Sequence, residues 1–147
     1  MAAFAQPNFT WGGMAANNWS GTGINFNGRP SDIKAAIDVL HARNIKVILA
    51  VGGATYNSWS TLSAEGHAGS GPTITALANI MKDVGFDGLD DDYEIEGLDG
   101  YAGAVKAMRK AVDLAGGGRL LTVAAWSTGA DCTGATANDP QCAGVRV

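Results

Sequence analysis

The chain has 147 residues, of which 46% are hydrophobic and 16% charged, and this predicts a single globular domain rather than a disordered chain. Because 14 acidic residues outnumber 10 Lys and Arg, no nucleic-acid partner is expected. No apolar run reaches the roughly 18 residues of a membrane span, so no membrane partner is expected either. Residues 1–6 lack the basic start and long apolar stretch of a signal peptide.

Short apolar runs alternate along the chain with longer segments of helical periodicity. The predicted strands are residues 2–5, 46–51, 88–93 and 120–125. The predicted helices are residues 31–43, with Ser31 as N-cap, 73–84 and 101–115. This order favours βαβ units and a parallel sheet, and the almost continuous apolar run 46–51 is typical of a strand that is covered on both faces.

Two polar stretches follow the first and second predicted strands, and both are predicted to be surface loops. They span residues 12–28 and 56–72. Loops at the carboxyl ends of parallel strands are where α/β proteins bind ligands. The polar segment 128–147 has no clear pattern, and its Cys132 and Cys142 are compatible with a small disulfide or with two free thiols.

The most informative stretch is the acidic strand, residues 86–94, which reads FDGLDDDYE. In a strand, Asp90, Asp92 and Glu94 share one face at spacings of about 7 Å. Ionised carboxylates at such spacing repel one another, so one of them should keep its proton to unusually high pH. A protonated acid beside ionised carboxylates suits glycosidic bond cleavage. A solvated acidic loop and a Ca²⁺ or Mg²⁺ site are equally compatible with the spacing alone.

Two motifs resemble those of the family 18 glycoside hydrolases, the chitinases and their relatives. Residues 87–94, DGLDDDYE, resemble the family signature DGxDxDxE, and residues 50–53, AVGG, resemble its SxGG motif. The family places these motifs on the fourth and third barrel strands, so residues 2–5 resemble the second strand and 121–125 the fifth. The resemblance implies an α/β fold of the (β/α)8 TIM-barrel type. Since a complete barrel takes about 250 residues, residues 1–147 would form one partial catalytic domain, about half a barrel.

The resemblance also implies a mechanism and roles for the acidic residues. Glu94 is the expected general acid, Asp92 would orient the N-acetyl group of the sugar, and Asp90 would share a proton with Asp92. The carbonyl oxygen of this N-acetyl group would attack the anomeric carbon, so the expected reaction is substrate-assisted and uses neither a cofactor nor a metal. The implied substrate is chitin or another N-acetylglucosamine oligosaccharide.

Further residues receive supporting roles. The motif residues Asp87 and Gly88 are expected to be structural. Trp126 directly follows the last predicted strand and is the best-placed tryptophan for stacking on a sugar ring. The expected substrate-binding residues are Gly52, Gly53, Tyr93 and Trp126.

The chain departs from the family pattern at several positions. Ala50 replaces the family's Ser and removes a hydroxyl that would support the aspartate pair. Asp91 replaces an apolar residue, which is costly unless the charge is paired or hydrated. Tyr93 replaces the more usual Trp, and nothing after Ala125 resembles the family's sixth-strand Tyr or eighth-strand Trp.

Other functions remain compatible with the sequence. They are an endo-β-N-acetylglucosaminidase, a non-hydrolytic chitin-binding lectin and a divalent-metal-binding domain. The resemblance to chitinases leads us to expect a secreted protein. Half a barrel would expose two strand edges, so marginal stability or self-association through those edges is expected.

Overall fold

The computed structural model describes residues 1–95 and 98–124, in which parallel strands alternate with helices. The elements in chain order are β1 (Ala2–Ala5), α1 (Pro30–His41), β2 (Ile48–Gly52), α2 (Ser60–Ala68), α3 (Pro72–Val84), β3 (Gly88–Asp92), α4 (Leu98–Ala115) and β4 (Leu120–Val123). This architecture confirms the predicted α/β fold. No helix in the described part of the chain is long and apolar enough to cross a membrane.

The four strands form one sheet in the order β1-β2-β3-β4, and each neighbouring pair is parallel. Across β2, β3 and β4, Ala50 is level with Asp90, which in turn is level with Thr122. Because all strands run the same way, their carboxyl ends meet at one edge. The strands follow one another in the sheet in their order along the chain. Because crossovers between parallel strands are right-handed, this order places the connecting helices on one face of the sheet. The opposite face, which carries the side chains of Asp90 and Thr122, is called the open face below.

The apolar core lies between the sheet and the helices. On β2 and β3, Leu49, Val51 and Leu89 are fully buried. The face of α4 toward the sheet and the other helices is apolar, and its completely or almost completely buried residues include Tyr101, Ala104, Met108, Val112 and Ala115.

Helix α2 corrects the prediction that residues 56–72 form a loop. Its buried residues include Ser63, Glu65 and Gly66, so the apolar spacing that marks the other helices is absent. Gly66 packs so closely on α4 that a Cβ atom there would overlap the carbonyl oxygen of Gly103. Contact through small residues requires no apolar stripe, and the sequence pattern therefore missed this helix.

The start of α1 also differs from the prediction. Arg29 is the N-cap and Pro30 is the first helical residue, where its missing N–H costs nothing. The Asp32 carboxylate accepts a hydrogen bond from the Arg29 N–H at 2.9 Å. Ser31 lies in the first turn, and its N–H donates to the side chain of Asn17 at 3.0 Å. The expected N-cap is thus shifted by two residues.

Candidate active site

The acidic motif ends β3 at the carboxyl edge of the sheet, and its side chains alternate as predicted. Asp91 is fully buried on the helix side, so Asp90 and Asp92 point to the open face. Asp92 shares a side-chain hydrogen bond with Glu94, which is exposed just beyond the strand. The structure therefore brings Asp90, Asp92 and Glu94 together at one end of the sheet.

The charges of this group act on Asp92. Burial, the charges of Glu94 and Asp90, and the hydrogen bond with Glu94 together raise the pKa of Asp92. A proton held at Asp92 reduces repulsion among the three carboxyl groups and makes Asp92 a hydrogen-bond donor. The cluster can consequently hold a proton at Asp92 beside two further carboxyl groups.

The double glycine after β2 holds the end of the acidic strand. The Gly53 N–H donates to the Asp92 carbonyl oxygen at 2.9 Å. Gly52 has φ of 112°, and a Cβ there would overlap that same carbonyl oxygen and lie 2.5 Å from the Trp59 ring. Gly52 and Gly53 thus allow the two backbones to approach at the site. Their contact with substrate stays a prediction.

Phe4 is a candidate site residue that sequence analysis missed. Its side chain is 38% exposed, and the ring lies 3.3 Å from the position that a Cβ of Gly53 would occupy. Because Gly53 bonds Asp92, the Phe4 ring belongs to the same end of the sheet. The available signal was one large aromatic residue in a strand composed otherwise of alanine.

Tyr93 lies apart from this group, and its contact with substrate stays a prediction. The residue is only 6% exposed. Its ring centroid is 4.8 Å from that of Trp59 and 5.6 Å from that of Tyr101. Strand alternation turns residue 93 toward the helices, where the aromatic ring packs in the core.

Asp91 places a carboxyl group inside the same core. Both of its oxygens are buried and have no hydrogen-bond partner among the described residues, and the same holds for the Tyr101 hydroxyl. Burial, followed by the charges of Asp90 and Asp92, raises the pKa of Asp91 to about 7. Burial and the charge of Asp91 also raise the pKa of both Tyr93 and Tyr101. Asp91 is therefore a buried carboxyl group in a largely apolar environment, and its ionisation there costs free energy.

Asp87 and Gly88 fix the other end of β3. The Asp87 carboxylate accepts hydrogen bonds from the Val47 N–H at 2.7 Å and from His41 Nε2 at 2.8 Å. Burial opposes ionisation, but these bonds and the charges of His41 and Lys46 outweigh it and lower the pKa of Asp87. These contacts secure β3 against β2.

Gly88 permits close packing on the opposite side of β3. A Cβ there would overlap the carbonyl oxygen of Leu120 in β4. Asp87 and Gly88, for which structural roles are predicted, lie at the amino end of β3, away from Asp92 and Glu94.

Several predicted residues lie outside the described part of the chain. They are Trp126, Cys132 and Cys142.

Among residues 1–95 and 98–124, no three His, Cys, Asp or Glu side chains are placed to hold a metal ion. The described acidic residues therefore give no support to the alternative of a divalent-metal domain.

Comparison with known proteins identifies a family and a solved structure of similar fold. The model of the family described as Glycosyl hydrolases family 18 matches residues 1–140. The chitinase RmChi1 from Rhizomucor miehei superposes with a TM-score of 0.58 at 22% sequence identity. The match covers 82% of this chain and 38% of the chitinase, so the chain spans well under half of that protein. The four-stranded sheet thus corresponds to part of a TIM barrel.

Proposed function

Because the chain belongs to glycosyl hydrolases family 18, we propose that it carries the acid/base residues of a chitinase-like enzyme. The substrate would be a β-1,4-linked polymer of N-acetylglucosamine, cleaved with retention by a substrate-assisted mechanism. One observation carries this proposal: Asp90 and Asp92 lie on one face at the carboxyl edge of the sheet, with Glu94 directly beyond them and close enough to raise the pKa of Asp92. TIM-barrel enzymes build their active sites at this edge.

In the proposed first step, Glu94 donates its proton to the glycosidic oxygen as the bond from that oxygen to the anomeric carbon breaks. The acetamido carbonyl oxygen of the substrate attacks the same carbon and forms an oxazolinium ion. A water molecule then gives a proton to Glu94, and the water oxygen bonds to the anomeric carbon. This opens the oxazolinium ring, and the configuration at the anomeric carbon is retained overall. Glu94 is suited to both steps because its side chain is exposed at the end of the strand.

Asp92 is proposed to exchange its hydrogen bond with Glu94 for one with the acetamido N–H of the substrate. As an ionised group it would then stabilise the positive charge of the oxazolinium ion, while Asp90 takes over the shared proton. The raised pKa of Asp92 supports this role, because the charges of Glu94 and Asp90 act on Asp92 and carboxyl groups coupled in this way can share a proton. The requirement for an acetamido group restricts the substrate class to N-acetylated sugars.

Glu94→Gln tests the proposed acid directly. We expect hydrolysis of N-acetylglucosamine oligomers to fall by at least about 100-fold, because an amide cannot supply the proton. Asp92→Asn should also slow hydrolysis strongly. Asp113→Asn is a matched control, because Asp113 lies on α4 and pairs with Arg109 at 2.7 Å, remote from the acidic strand.

The measurement is the release of reducing ends from oligomers of defined length, with folding checked by circular dichroism. Full activity in Glu94→Gln would overturn the assignment of the acid. Tight oligomer binding by the wild-type chain without turnover would replace hydrolysis with a lectin function. Cleavage of an N-glycan in preference to chitin oligomers would replace the proposed substrate.

A further inference from the structure

The Asp90 carboxyl group is held from one side of the sheet. Its neighbours in register are Ala50 on β2 and Thr122 on β4. Ala50 is fully buried and has no polar side-chain atom, whereas the Thr122 hydroxyl donates a hydrogen bond to Asp90 Oδ1. Of the two strands that flank Asp90, β4 alone provides a side-chain hydrogen bond at this level.

This bond matters because Asp90 is only 6% exposed. A buried carboxyl group requires a partner, and a hydroxyl can serve either protonation state. It donates to an ionised carboxylate and accepts from a protonated one. A hydroxyl at this position could therefore keep Asp90 in place while a proton moves between Asp90 and Asp92.

We propose that Thr122 is a positioning residue for the acidic cluster: its hydroxyl orients Asp90 and thereby sets the proton shared with Asp92. This role rests on the proposed function. In the family motif a Ser stands at the position of Ala50 on β2, so its supporting hydroxyl is absent from this chain. The proposal assigns that supporting role to the Thr122 hydroxyl, which lies on β4 at the other side of Asp90. Asp90 transmits the effect, because its charge is one of the influences on Asp92.

Thr122→Val removes the hydroxyl and preserves the shape of the side chain. We expect kcat for N-acetylglucosamine oligomers to fall about tenfold, the effect of losing one hydrogen bond to a charged group, while KM changes little. The pH profile of kcat/KM should move as well. Thr122→Ser should restore both values, and Thr61→Val on α2 serves as the matched control.

Ala50→Ser provides a second test, because it adds a hydroxyl on the opposite side of Asp90. Combined with Thr122→Val, it should recover part of the lost kcat. If Thr122→Ser does not restore the wild-type pH profile, the proposal is overturned, because the proposed role depends on the hydroxyl that this variant keeps.

A titration separates this proposal from the proposed function. The ¹³C signal of the Asp92 carboxyl group is followed against pH in the free protein, without substrate. Loss of the hydroxyl disfavours a charge on Asp90, so the shared proton should move toward Asp90 and the Asp92 midpoint should fall. An unchanged midpoint in Thr122→Val would contradict the positioning role even if hydrolysis is absent, and Thr122→Ala gives the same comparison should the Val variant not fold.

Discussion

At the scale of single residues, Asp91 is a buried carboxyl group whose ionisation opposes folding. Its folded-state pKa of about 7 lies above the ordinary value of 3.8. Because the folded protein binds the proton more tightly, folding stability should decrease as pH rises from about 4 to about 7. At higher pH, the buried charge opposes folding to its full extent, a cost on the order of 4 kcal/mol.

We predict that Asp91→Leu raises the free energy of unfolding, by about 2 to 4 kcal/mol at pH 8 and by less at pH 4. Chemical denaturation at both pH values measures the difference. Asp91→Asn is the control that removes ionisation but keeps a polar group, and it should flatten the pH dependence with a smaller gain. A variant that loses stability at pH 8 would show that the Asp91 carboxylate is compensated.

The residues of the acidic cluster were accessible to sequence analysis because strand alternation and spacing are local properties. Asp90, Asp92 and Glu94 share a face for that reason. Alternation also placed residue 93 on the opposite face, yet the expected role of Tyr93 was taken from the motif as a whole. In the structure Tyr93 packs against Trp59 and Tyr101, on the face that alternation assigns to residue 93.

At the scale of elements, the packing of α2 on α4 is the contact that sequence periodicity missed. Glu65, although buried, accepts hydrogen bonds from the N–H groups of Thr73 and Ile74 at 3.1 and 2.9 Å. It therefore satisfies the free donors at the start of α3, and a carboxylate there also suits the helix dipole. Helix α2 joins its neighbours through a cap on α3 and a close glycine contact with α4, and both depend on residues of another helix.

We predict that Gly66→Ala destabilises the protein by about 2 kcal/mol or more, although alanine favours helix formation. The added Cβ would overlap the carbonyl oxygen of Gly103 and force α2 and α4 apart. Thermal or denaturant unfolding provides the measurement. Ala64→Gly, at an exposed position of the same helix, should cost only about 1 kcal/mol through lower helix propensity. Equal or greater stability of Gly66→Ala would contradict the close contact.

At the scale of the whole molecule, the sheet has two outer edges to which no described strand is bonded. They belong to β1 and β4. On β4, Leu120 is 41% and Val123 is 36% exposed. Unpaired edges with exposed apolar side chains readily pair with other chains.

We therefore propose that the 147-residue polypeptide self-associates, and predict an average mass in sedimentation equilibrium that rises with concentration. Val123→Lys should reduce this association by placing a charge on the edge strand. Ala64→Lys, which adds the same charge on α2, is the control. A monomer at all concentrations would contradict edge pairing.

The sequence by itself determined the repeating strand–helix order, the parallel sheet, the shared face of Asp90, Asp92 and Glu94, and the resemblance to family 18. The resemblance rests on two short motifs, and the other conclusions rest on periodicity and spacing, which operate between residues that are close along the chain. Tertiary structure decided which residues surround that face. It brought Phe4 against Gly53, Thr122 to Asp90, and Gly66 to Gly103, and it enclosed Asp91 among tyrosines. Each of these contacts joins different elements, so its geometry exists only once the helices have packed on the sheet and the strands have taken their register.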